Sequence, residues 1–401
     1  MTIEELLAIA VHRGASDIHL KVGIMPIIRK HGVLRPLNED TTPITIARIE
    51  ELTRSILDET KWQELHQKKQ LDIGFGIRGL GRFRANIFLQ RGTIRMVIRN
   101  IPDRIASLEQ LGLPPVVAKL AEYERGLVLV TGITGSGKST TLAALIDHIN
   151  RNKNRHILTI EDPIEFLIAD RKSIITQREV GTDTQNFSDA LRAALRQDPD
   201  VILIGEMRDT ETIQTALTAA ETGHLVLSTL HTADAQETVS RIISAYPSEE
   251  QQRARNQLAS VLRGVVTQRL ARKKDKSGFI PAVEIMVNNA RIREMIEDPE
   301  KTKKIIQAIE EGRSAWGMQS FDQSLVYLVK KDLIDESEAM RLCTNPQNLA
   351  LRLQGVHSMA DGSSEGQEAS IKTSSAVQRA AWNDVPELDL DQSYDPKRPR
   401  K

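Results

Sequence analysis

The segment "GITGSGKS", Gly132–Ser139, places the strongest constraint on what this chain can fold into. It fits the pattern G-x-x-x-x-G-K-[ST], in which a glycine-rich turn joins a strand to a helix. The apolar run "LVLV" precedes it, and "TTLAALIDHI", with apolar residues at helical spacing, follows it. The sequence therefore predicts a strand–turn–helix unit whose helix N-terminus faces an anion.

Four short apolar runs, each followed by turn residues, indicate the rest of the surrounding sheet. They are "RGLVLVTG", "HILTIEDP", "DVILIGEM" and "HLVLSTLH". Continuous rather than alternating apolar residues are typical of parallel strands that are buried on both faces. Helical segments lie between these runs, so we predict an α/β domain over residues 115–355 whose strand ends converge on one ligand. Its C-terminal part, including "QQRARNQLASVLRGVVTQRLARK" and "SFDQSLVYLVKKDLIDESEAMRLC", is predicted to be helical.

The N-terminal part has a different pattern. "TIEELLAIAVHRG" predicts a helix, while "LDIGFGI", "GRFRANIFLQ" and "TIRMVIRNI" alternate as half-buried strands do. We predict a small α+β domain over residues 1–101 and a linker over 102–114. The polar, Ser/Gly-rich segment 356–401 is predicted to be disordered, because it has too little apolar surface to offset its ordering entropy.

Composition excludes several classes of protein. The 401 residues carry 54 basic and 54 acidic side chains, which gives no reason to expect nucleic-acid binding. The single cysteine, Cys343, excludes a disulfide framework and a four-cysteine zinc site, and a small core residue is its simplest role. No basic leader and no apolar stretch of roughly 18 residues is present, so we expect a soluble cytoplasmic protein without direct membrane insertion.

The glycine-rich segment suits phosphate chemistry. Its glycines let backbone N–H groups turn toward a phosphate, Lys138 would reach the β- and γ-phosphates of ATP, and the Ser139 hydroxyl would ligate Mg²⁺. The alternative is an ordinary glycine-rich turn with a solvated lysine. The predicted nucleotide-binding residues here are Gly132, Thr134, Gly135, Ser136, Gly137, Lys138, Ser139 and Thr140.

Carboxylates follow two of the predicted strands. Glu206 ends "DVILIGE" and is a candidate to hold Mg²⁺, partly through water, although a glutamate at a strand end is by itself ordinary. In "ILTIEDPIEF", Glu165 is our candidate to orient the attacking water and accept its proton, with Glu161 and Asp162 holding metal-bound waters. Because this strand is the first after the glycine-rich segment, we expect it to lie beside the phosphate site. The alternative is a solvated acidic loop in which Asp162 and Glu165 form a helix-capping box.

Two histidines flank the run "LVLSTL". His231 is placed to sense the γ-phosphate, and His224 precedes the run. Zinc is not expected, because no third ligand is near in sequence.

Arginines line the polar face of the predicted N-terminal sheet. Arg82, Arg84, Arg95 and Arg99 all lie on that face. A solvated face is one explanation. The other is that some of them reach ATP as arginine fingers, and reaching a neighbour's nucleotide would require a ring of subunits.

Together these segments resemble the type IV pilus retraction ATPases, the PilT family within the secretion-ATPase superfamily. The resemblance covers about residues 1–350 and rests on the following segments: "GASDIHL", "GRFRANIF", "VTGITGSGKSTTLAALIDHIN", "HILTIEDPIEF", "QREVGTDTQNFSDALRAALRQDPDVILIGEMRD", "TALTAAETGHLVLSTLHTADA" and "GMQSFDQSL".

This resemblance implies a PAS-like N-terminal domain, a RecA-like P-loop ATPase domain and a homohexamer that binds ATP and Mg²⁺. It implies partners at the cytoplasmic face of the inner membrane, namely a pilus platform protein and in some systems a paralogous retraction ATPase. By position, Lys138 and Ser139 match the family's P-loop, Glu165 its catalytic glutamate and Glu206 its second-strand acid. His224 and His231 match its histidine box, and Arg82, Arg84 and Arg125 match basic residues near its nucleotide.

The resulting hypothesis is an ATP-hydrolysing motor in which domain rotation around the nucleotide drives pilus retraction. An accessory paralogue of that motor and a non-hydrolysing ATP-binding assembly factor are the alternatives kept. A nucleic-acid translocase is disfavoured because the chain has few aromatic residues to stack bases. A small-molecule kinase would need an acceptor pocket that the sequence does not indicate.

Overall fold

A computed structural model describes residues 1–30, 32–37, 42–101 and 105–354 of the chain. Residues 1–350 form one compact unit. The tail predicted to be disordered, 356–401, lies outside the described residues. None of the described helices is long and apolar enough to cross a membrane.

The N-terminal part is an antiparallel sheet with helices on one face. Its elements are α1 (Ile3–His12), β1 (Asp17–Lys21), β2 (Ile27–Lys30), β3 (Val33–Pro36), α2 (Ile46–Arg54), α3 (Glu59–Lys68), β4 (Gln70–Ile77), β5 (Gly81–Gln90) and β6 (Thr93–Ile101). The strand order is β3-β2-β1-β6-β5-β4, and neighbouring strands are antiparallel. This agrees with the predicted α+β arrangement, to which the structure adds the helices α2 and α3.

Alternation along these strands separates an apolar face from a polar face. Ile18, Phe83 and Met96 are among the buried residues that pack with the three helices. The opposite face carries the arginines, and the strand register sets Arg84 directly opposite Arg99. The predicted row of guanidinium groups on one sheet face is therefore present.

The second sheet is built from strands that alternate with helices along most of the chain. Its elements through the middle of the chain are α4 (Pro115–Leu120), β7 (Gly126–Thr131), α5 (Lys138–Asn152), β8 (His156–Glu161), β9 (Ile174–Glu179), α6 (Phe187–Ala194), β10 (Val201–Ile204), α7 (Thr210–Glu221), β11 (Leu225–Leu230) and α8 (Ala235–Ser244). The strand order is β13-β12-β7-β11-β10-β8-β9, where β12 (Leu262–Arg272) and β13 (Phe279–Val287) close one edge. All pairs except β12–β13 are parallel.

The predicted parallel strands β7, β8, β10 and β11 all occur, and every residue of β7, β10 and β11 is buried. Buried strands need apolar residues on both faces, which is why their sequences do not alternate. Helices on both sides of such a sheet give the α/β fold that was expected. The carboxyl ends of these four strands lie along one edge of the sheet.

One expectation about this sheet was wrong, and two further features of the sheet did not follow from the sequence. Half of the segment predicted to be helical after residue 250 is the strand β12, whose Val265 and Val266 are buried between β7 and β13. Strand β9 was not foreseen, because the polar residues of "IITQRE" give an edge strand no clear apolar pattern. Strand β8 does not lie beside β7, because β11 and β10 stand between them.

Helices dominate the C-terminal end of the described chain. They are α9 (Gln251–Val261), α10 (Ala290–Glu297), α11 (Ile305–Glu311), α12 (Arg313–Trp316), α13 (Phe321–Lys330), α14 (Glu336–Leu342) and α15 (Pro346–Leu353), with short 3₁₀ helices at Ser248–Glu250 and Thr302–Lys304. In the segment predicted to be a linker, Leu108 and Leu113 are buried in the core of the second sheet. The domain boundaries given above stay a prediction.

Candidate active site

The glycine-rich turn lies between β7 and α5, at the carboxyl edge of the parallel sheet. Gly135 and Gly137 have φ of 79° and 89°, a backbone region that residues with a Cβ rarely adopt. Helix α5 begins at Lys138, and no side chain caps its N-terminus. Its first backbone N–H groups are therefore available to an anionic ligand, which the helix dipole also favours.

Lys138 is the buried cation of this turn. Its Nζ donates hydrogen bonds to the carbonyl oxygens of Gly132, at 2.9 Å, and Ile133, at 3.1 Å. Burial lowers the pKa of Lys138, while the carboxylates of Glu206 and Glu165 oppose that shift. The structure thus brings two of the predicted acidic residues within electrostatic range of the lysine of the turn. Ser139 and Thr140, which follow in the first turn of α5, are half-buried.

The turn also has a neighbour that the sequence analysis missed. Gln268 of β12 is 1% exposed, and its Oε1 has no hydrogen-bond partner. A Cβ added at Gly137 would lie 3.8 Å from Gln268 Nε2, and a Cβ at Gly132 would lie 2.5 Å from the Gln268 carbonyl oxygen. Gly132 is therefore required where the turn passes closely over β12. The sequence predicts a helix where β12 lies, so the contact between Gln268 and the turn could not be predicted.

Glu165 reaches the site from a loop after β8. Residues 162–170 contain neither helix nor strand, so the alternative in which Asp162 and Glu165 cap a helix is wrong. Side chains of β9 hold this loop in place. Gln177 accepts a hydrogen bond from Ile168 N–H at 2.9 Å and donates one to the Phe166 carbonyl at 2.9 Å, and Glu179 accepts one from Ile164 N–H at 3.1 Å.

Glu161 and Asp162 have different surroundings. Glu161 accepts hydrogen bonds from Thr159 Oγ1 at 2.7 Å and Gln177 Nε2 at 3.1 Å. Burial raises the pKa of Glu161, although those two hydrogen bonds act in the opposite direction. Asp162 is exposed. The Glu161 carboxylate is thus already bound by protein donors, and its predicted role in holding metal-bound water stays a prediction.

Glu206 follows β10 and meets residues from the same edge. Its side chain is 15% exposed and forms an ion pair with Arg208, with Nε 2.7 Å from Oε1. His231, which follows β11, places Nε2 3.7 Å from Glu206 Oε2. The adjacent Gly205 carbonyl accepts a hydrogen bond from Thr229 Oγ1 at 2.7 Å, which fixes the ends of β10 and β11 against each other.

Two predicted nucleotide-binding residues lie at the other edge of the sheet. His224 precedes β11 and Arg125 precedes β7, and Gly126 N–H donates to the His224 carbonyl at 3.0 Å. Each of them is separated from the carboxyl edge by the length of a six-residue strand, and that length is roughly 20 Å. Within one chain, the structure therefore does not bring His224 and Arg125 to the glycine-rich turn. Their contact with a nucleotide stays a prediction for an assembly in which another chain supplies the site.

The arginines of the N-terminal sheet have partners within the chain. Arg84 Nε lies 4.0 Å from Asp72 Oδ1, and Arg99 Nε lies 2.9 Å from Asp17 Oδ1. Arg82 forms an ion pair with Glu179 of β9. Arg95 lies over the ring of Phe88. The described chain therefore shows these side chains bound locally, and their reach toward a nucleotide stays a prediction.

The residues present fit a phosphate group better than a protein-only metal site. Among the described residues there is no cluster of three histidine, cysteine, aspartate or glutamate side chains that could hold a metal ion. An uncapped helix N-terminus, a buried lysine and the Ser139 hydroxyl are instead the donors suited to a phosphate with its own bound Mg²⁺.

A mostly parallel sheet, a glycine-rich turn with a lysine at the start of α5, and carboxylates within electrostatic range of that lysine are typical of an α/β protein that binds nucleotides. The chain belongs to the family of type II/IV secretion system proteins, whose family model matches residues 1–369.

Proteins of pilus systems are among the relatives. The chain is 44% identical to the type IV pilus retraction ATPase PilT of Pseudomonas aeruginosa, over 87% of this chain and 100% of that protein. It is 43% identical to a twitching motility protein of Neisseria gonorrhoeae, over 81% of this chain and 86% of that protein. The type IV pilus ATPase PilU of Pseudomonas aeruginosa is 36% identical, over 90% and 94%. A crystal structure of the pilus retraction motor PilT with bound ADP superposes with a TM-score of 0.81 at 44% identity, covering 87% of this chain and 99% of that one.

Proposed function

We propose that this chain is an ATP-hydrolysing motor that drives type IV pilus retraction, the disassembly of the pilus that underlies twitching motility. The observation that carries the proposal is that Glu206 and Glu165, which follow β10 and β8, lie within electrostatic range of Lys138 at the start of α5. The similarity to PilT over almost its whole length supports the assignment to retraction. The accessory-paralogue alternative has weaker support, because identity to PilU is lower.

The nucleotide would bind at the turn Gly132–Ser139 and at Thr140. Backbone N–H groups at the start of α5 donate to phosphate oxygens, and the Lys138 ammonium exchanges its two carbonyl partners for phosphate oxygens. Ser139 and Glu206, the latter partly through water, are the residues that would hold Mg²⁺. The ion supplies positive charge beside the phosphates.

Hydrolysis requires a group that orients water and accepts its proton. Glu165 has this role in the proposal, because it lies on the loop that faces Lys138 without being bound as Glu161 is. Glu206 and His231 lie next to each other after β10 and β11, and in this proposal His231 responds to the terminal phosphate. Arg82 and Arg84 are proposed to compensate transition-state charge, either in the same chain or in a neighbouring subunit.

The working assembly in this proposal is a homohexamer at the cytoplasmic face of the inner membrane. Rotation of the N-terminal sheet relative to the parallel sheet would change the shape of the ring, a hinge motion that acts on a membrane platform protein. A paralogous retraction ATPase is a further proposed partner. The hexamer, the membrane face and the platform protein follow from the resemblance to the PilT family, and the relative PilU supports a paralogous partner.

The deciding experiment is phosphate release from Mg·ATP by the full chain over a series of protein concentrations, with Glu165→Gln measured in parallel. We expect specific activity to rise with concentration as rings form. We expect Glu165→Gln to bind a fluorescent ATP analogue as the wild type does but to release phosphate about 10²- to 10⁴-fold more slowly.

Each outcome has a distinct meaning. An active Glu165→Gln variant would remove Glu165 from the role of base. A wild type that releases no phosphate, alone or with inner-membrane vesicles from a piliated strain, would favour the ATP-binding assembly factor. Exposed Glu249 supplies the matched control, because Glu249→Gln makes the same chemical change at a residue of the 3₁₀ helix Ser248–Glu250 that takes part in none of these contacts.

A further inference from the structure

A buried ion pair connects the N-terminal sheet to the loop that carries Glu165. Arg82 of β5 pairs with Glu179 at the end of β9, and the two side chains are 18% and 8% exposed. The residues are 97 positions apart in sequence. Removing one partner of an ion pair that is this well shielded from water destabilises the chain, because the remaining buried charge then has no compensation.

The same carboxylate also binds the loop. Glu179 Oε2 accepts a hydrogen bond from the backbone N–H of Ile164 at 3.1 Å, and Ile164 immediately precedes Glu165. Ile164 is 6% exposed, so its N–H has little access to water as an alternative partner. Glu179 is therefore bound on one side by the N-terminal sheet and on the other by the residue next to the proposed base.

The backbone around the pair leaves space for it. Gly74 lies in β4, beside the strand of Arg82. A Cβ added at Gly74 would lie 2.8 Å from Arg82 Nη2 and 3.3 Å from Glu179 Oε1. The side chains therefore occupy the volume that any other residue at position 74 would fill, so this contact depends on glycine in β4.

We infer that Glu179 is a positioning residue that couples the placement of the N-terminal sheet to the Glu165 loop, through Arg82 on one side and Ile164 N–H on the other. When the N-terminal sheet is docked on β9, Arg82 holds the Glu179 carboxylate in the orientation that fixes the loop. When the sheet moves away, Glu179 loses its cation and the loop loses its restraint. The catalytic consequence of this inference rests on the proposed function of Glu165, whereas the coupling between the N-terminal sheet and the loop does not.

Hydrogen exchange tests the structural content without any need for activity. Exchange of a peptide covering residues 162–168 should be several-fold faster in Arg82→Gln and in Glu179→Gln than in the wild type, while peptides from β7 and β11 stay unchanged. Arg82→Lys should return part of the protection, because it keeps the charge. Unchanged exchange in the loop of both Gln variants would overturn the inference.

Steady-state kinetics test the catalytic consequence. Each of the two Gln variants should lower kcat about 10- to 100-fold while the dissociation constant for a fluorescent ATP analogue changes less than about twofold. The double variant should be no worse than the more affected single variant, because both changes break one contact. Glu51→Gln, which removes an exposed partner of Arg48, is the matched control.

An arginine finger gives a different pattern. If Arg82 acted only on a neighbour's nucleotide, Arg82→Gln would lower kcat while Glu179→Gln left it at the wild-type value, and this would overturn the inference. Failure of the proposed function can be told apart from failure of this inference. In that case Glu165→Gln would hydrolyse ATP as fast as the wild type, while Arg82→Gln and Glu179→Gln would still show faster hydrogen exchange in the loop.

Discussion

His231 Nε2 lies 3.7 Å from Glu206 Oε2, across the carboxyl ends of the adjacent parallel strands β11 and β10. Arg208 binds the other oxygen of the same carboxylate at 2.7 Å. Glu206 is thus held between the Arg208 guanidinium and the His231 imidazole. The His231 side chain is 47% exposed, which leaves its ring open to a ligand at this edge of the sheet.

Replacing His231 should therefore affect turnover more than binding. We expect His231→Ala to lower kcat at least about tenfold while nucleotide affinity stays within about threefold, because the histidine adjusts the site without supplying the main phosphate contacts. Phosphate release and fluorescent-nucleotide titration measure the two quantities. His12→Ala removes an exposed histidine and should leave both unchanged. Equal activity of His231→Ala and the wild type would place His231 outside the mechanism.

Lys138 should be required for nucleotide binding. Its ammonium is the buried positive charge of the turn, and a hydrogen bond to a charged group contributes about 1.5–3 kcal/mol. Lys138→Ala should therefore weaken ATP binding by roughly 10- to 100-fold and reduce phosphate release to background. Isothermal titration with a non-hydrolysable analogue measures the affinity, and exposed Lys172→Ala serves as control. ATP affinity that survives Lys138→Ala would mean that the phosphates bind elsewhere.

The buried carboxyl group of Glu284 should make stability depend on pH. Burial raises its pKa to about 7 from the ordinary value of 4.5; the Ala235 N–H and Arg269 oppose this shift, and Asp234 and Asp322 add to it. The folded chain thus holds this proton more tightly than the unfolded chain. Its contribution to stability is full below pH 4.5 and is lost as the pH rises through about 7.

Glu284→Gln should flatten this dependence. The free energy of unfolding should decrease less in the variant than in the wild type as the pH rises from about 5 to about 8. The two decreases should differ by roughly 1–3 kcal/mol. Urea denaturation monitored by circular dichroism at several pH values measures the difference. The control Glu249→Gln should show the same dependence of unfolding free energy on pH as the wild type. If Glu284→Gln also shows the wild-type dependence, the pKa of Glu284 is not raised in the folded chain.

The strand β12 allows a direct test of the packing at one edge of the sheet. A Cβ at Gly264 would lie 2.8 Å from the Met286 carbonyl oxygen and 2.8 Å from a methyl group of Leu120. Gly264→Ala should therefore destabilise the chain by about 1–3 kcal/mol. Gly76→Ala, whose added Cβ has only one neighbour at 4.0 Å, is the control in the N-terminal sheet. A Gly264→Ala variant as stable as the wild type would show that this edge is packed less closely.

Much of this architecture follows from local patterns. The continuous apolar runs of β7, β8, β10 and β11 indicate parallel buried strands, and alternation predicts β4, β5 and β6. The segment Gly132–Ser139 predicts the turn, because its glycines and lysine act through their own backbone and the helix that follows. Patterns of this kind depend on residues close in sequence, so the sequence alone was sufficient to predict them.

Strand order was decided by packing between distant residues. Strand β8 follows β7 along the chain, yet β11 and β10 lie between them in the sheet. The apolar run of β12 resembles a helix segment until its burial on both faces is known. Periodicity cannot separate these alternatives, because short apolar runs suit either a buried strand or a buried helix.

What the sequence by itself determined is the class of fold, the glycine-rich turn and the identity of Lys138, Glu165 and Glu206 as chemically suited residues. Only the tertiary structure decided that His224 and Arg125 lie at the opposite sheet edge, and that Arg82 binds Glu179. The physical reason is that the sequence gives the chemistry of each side chain, whereas the packing of distant segments determines which side chains come into contact. An ion pair between residues 97 positions apart forms only after both sheets have packed.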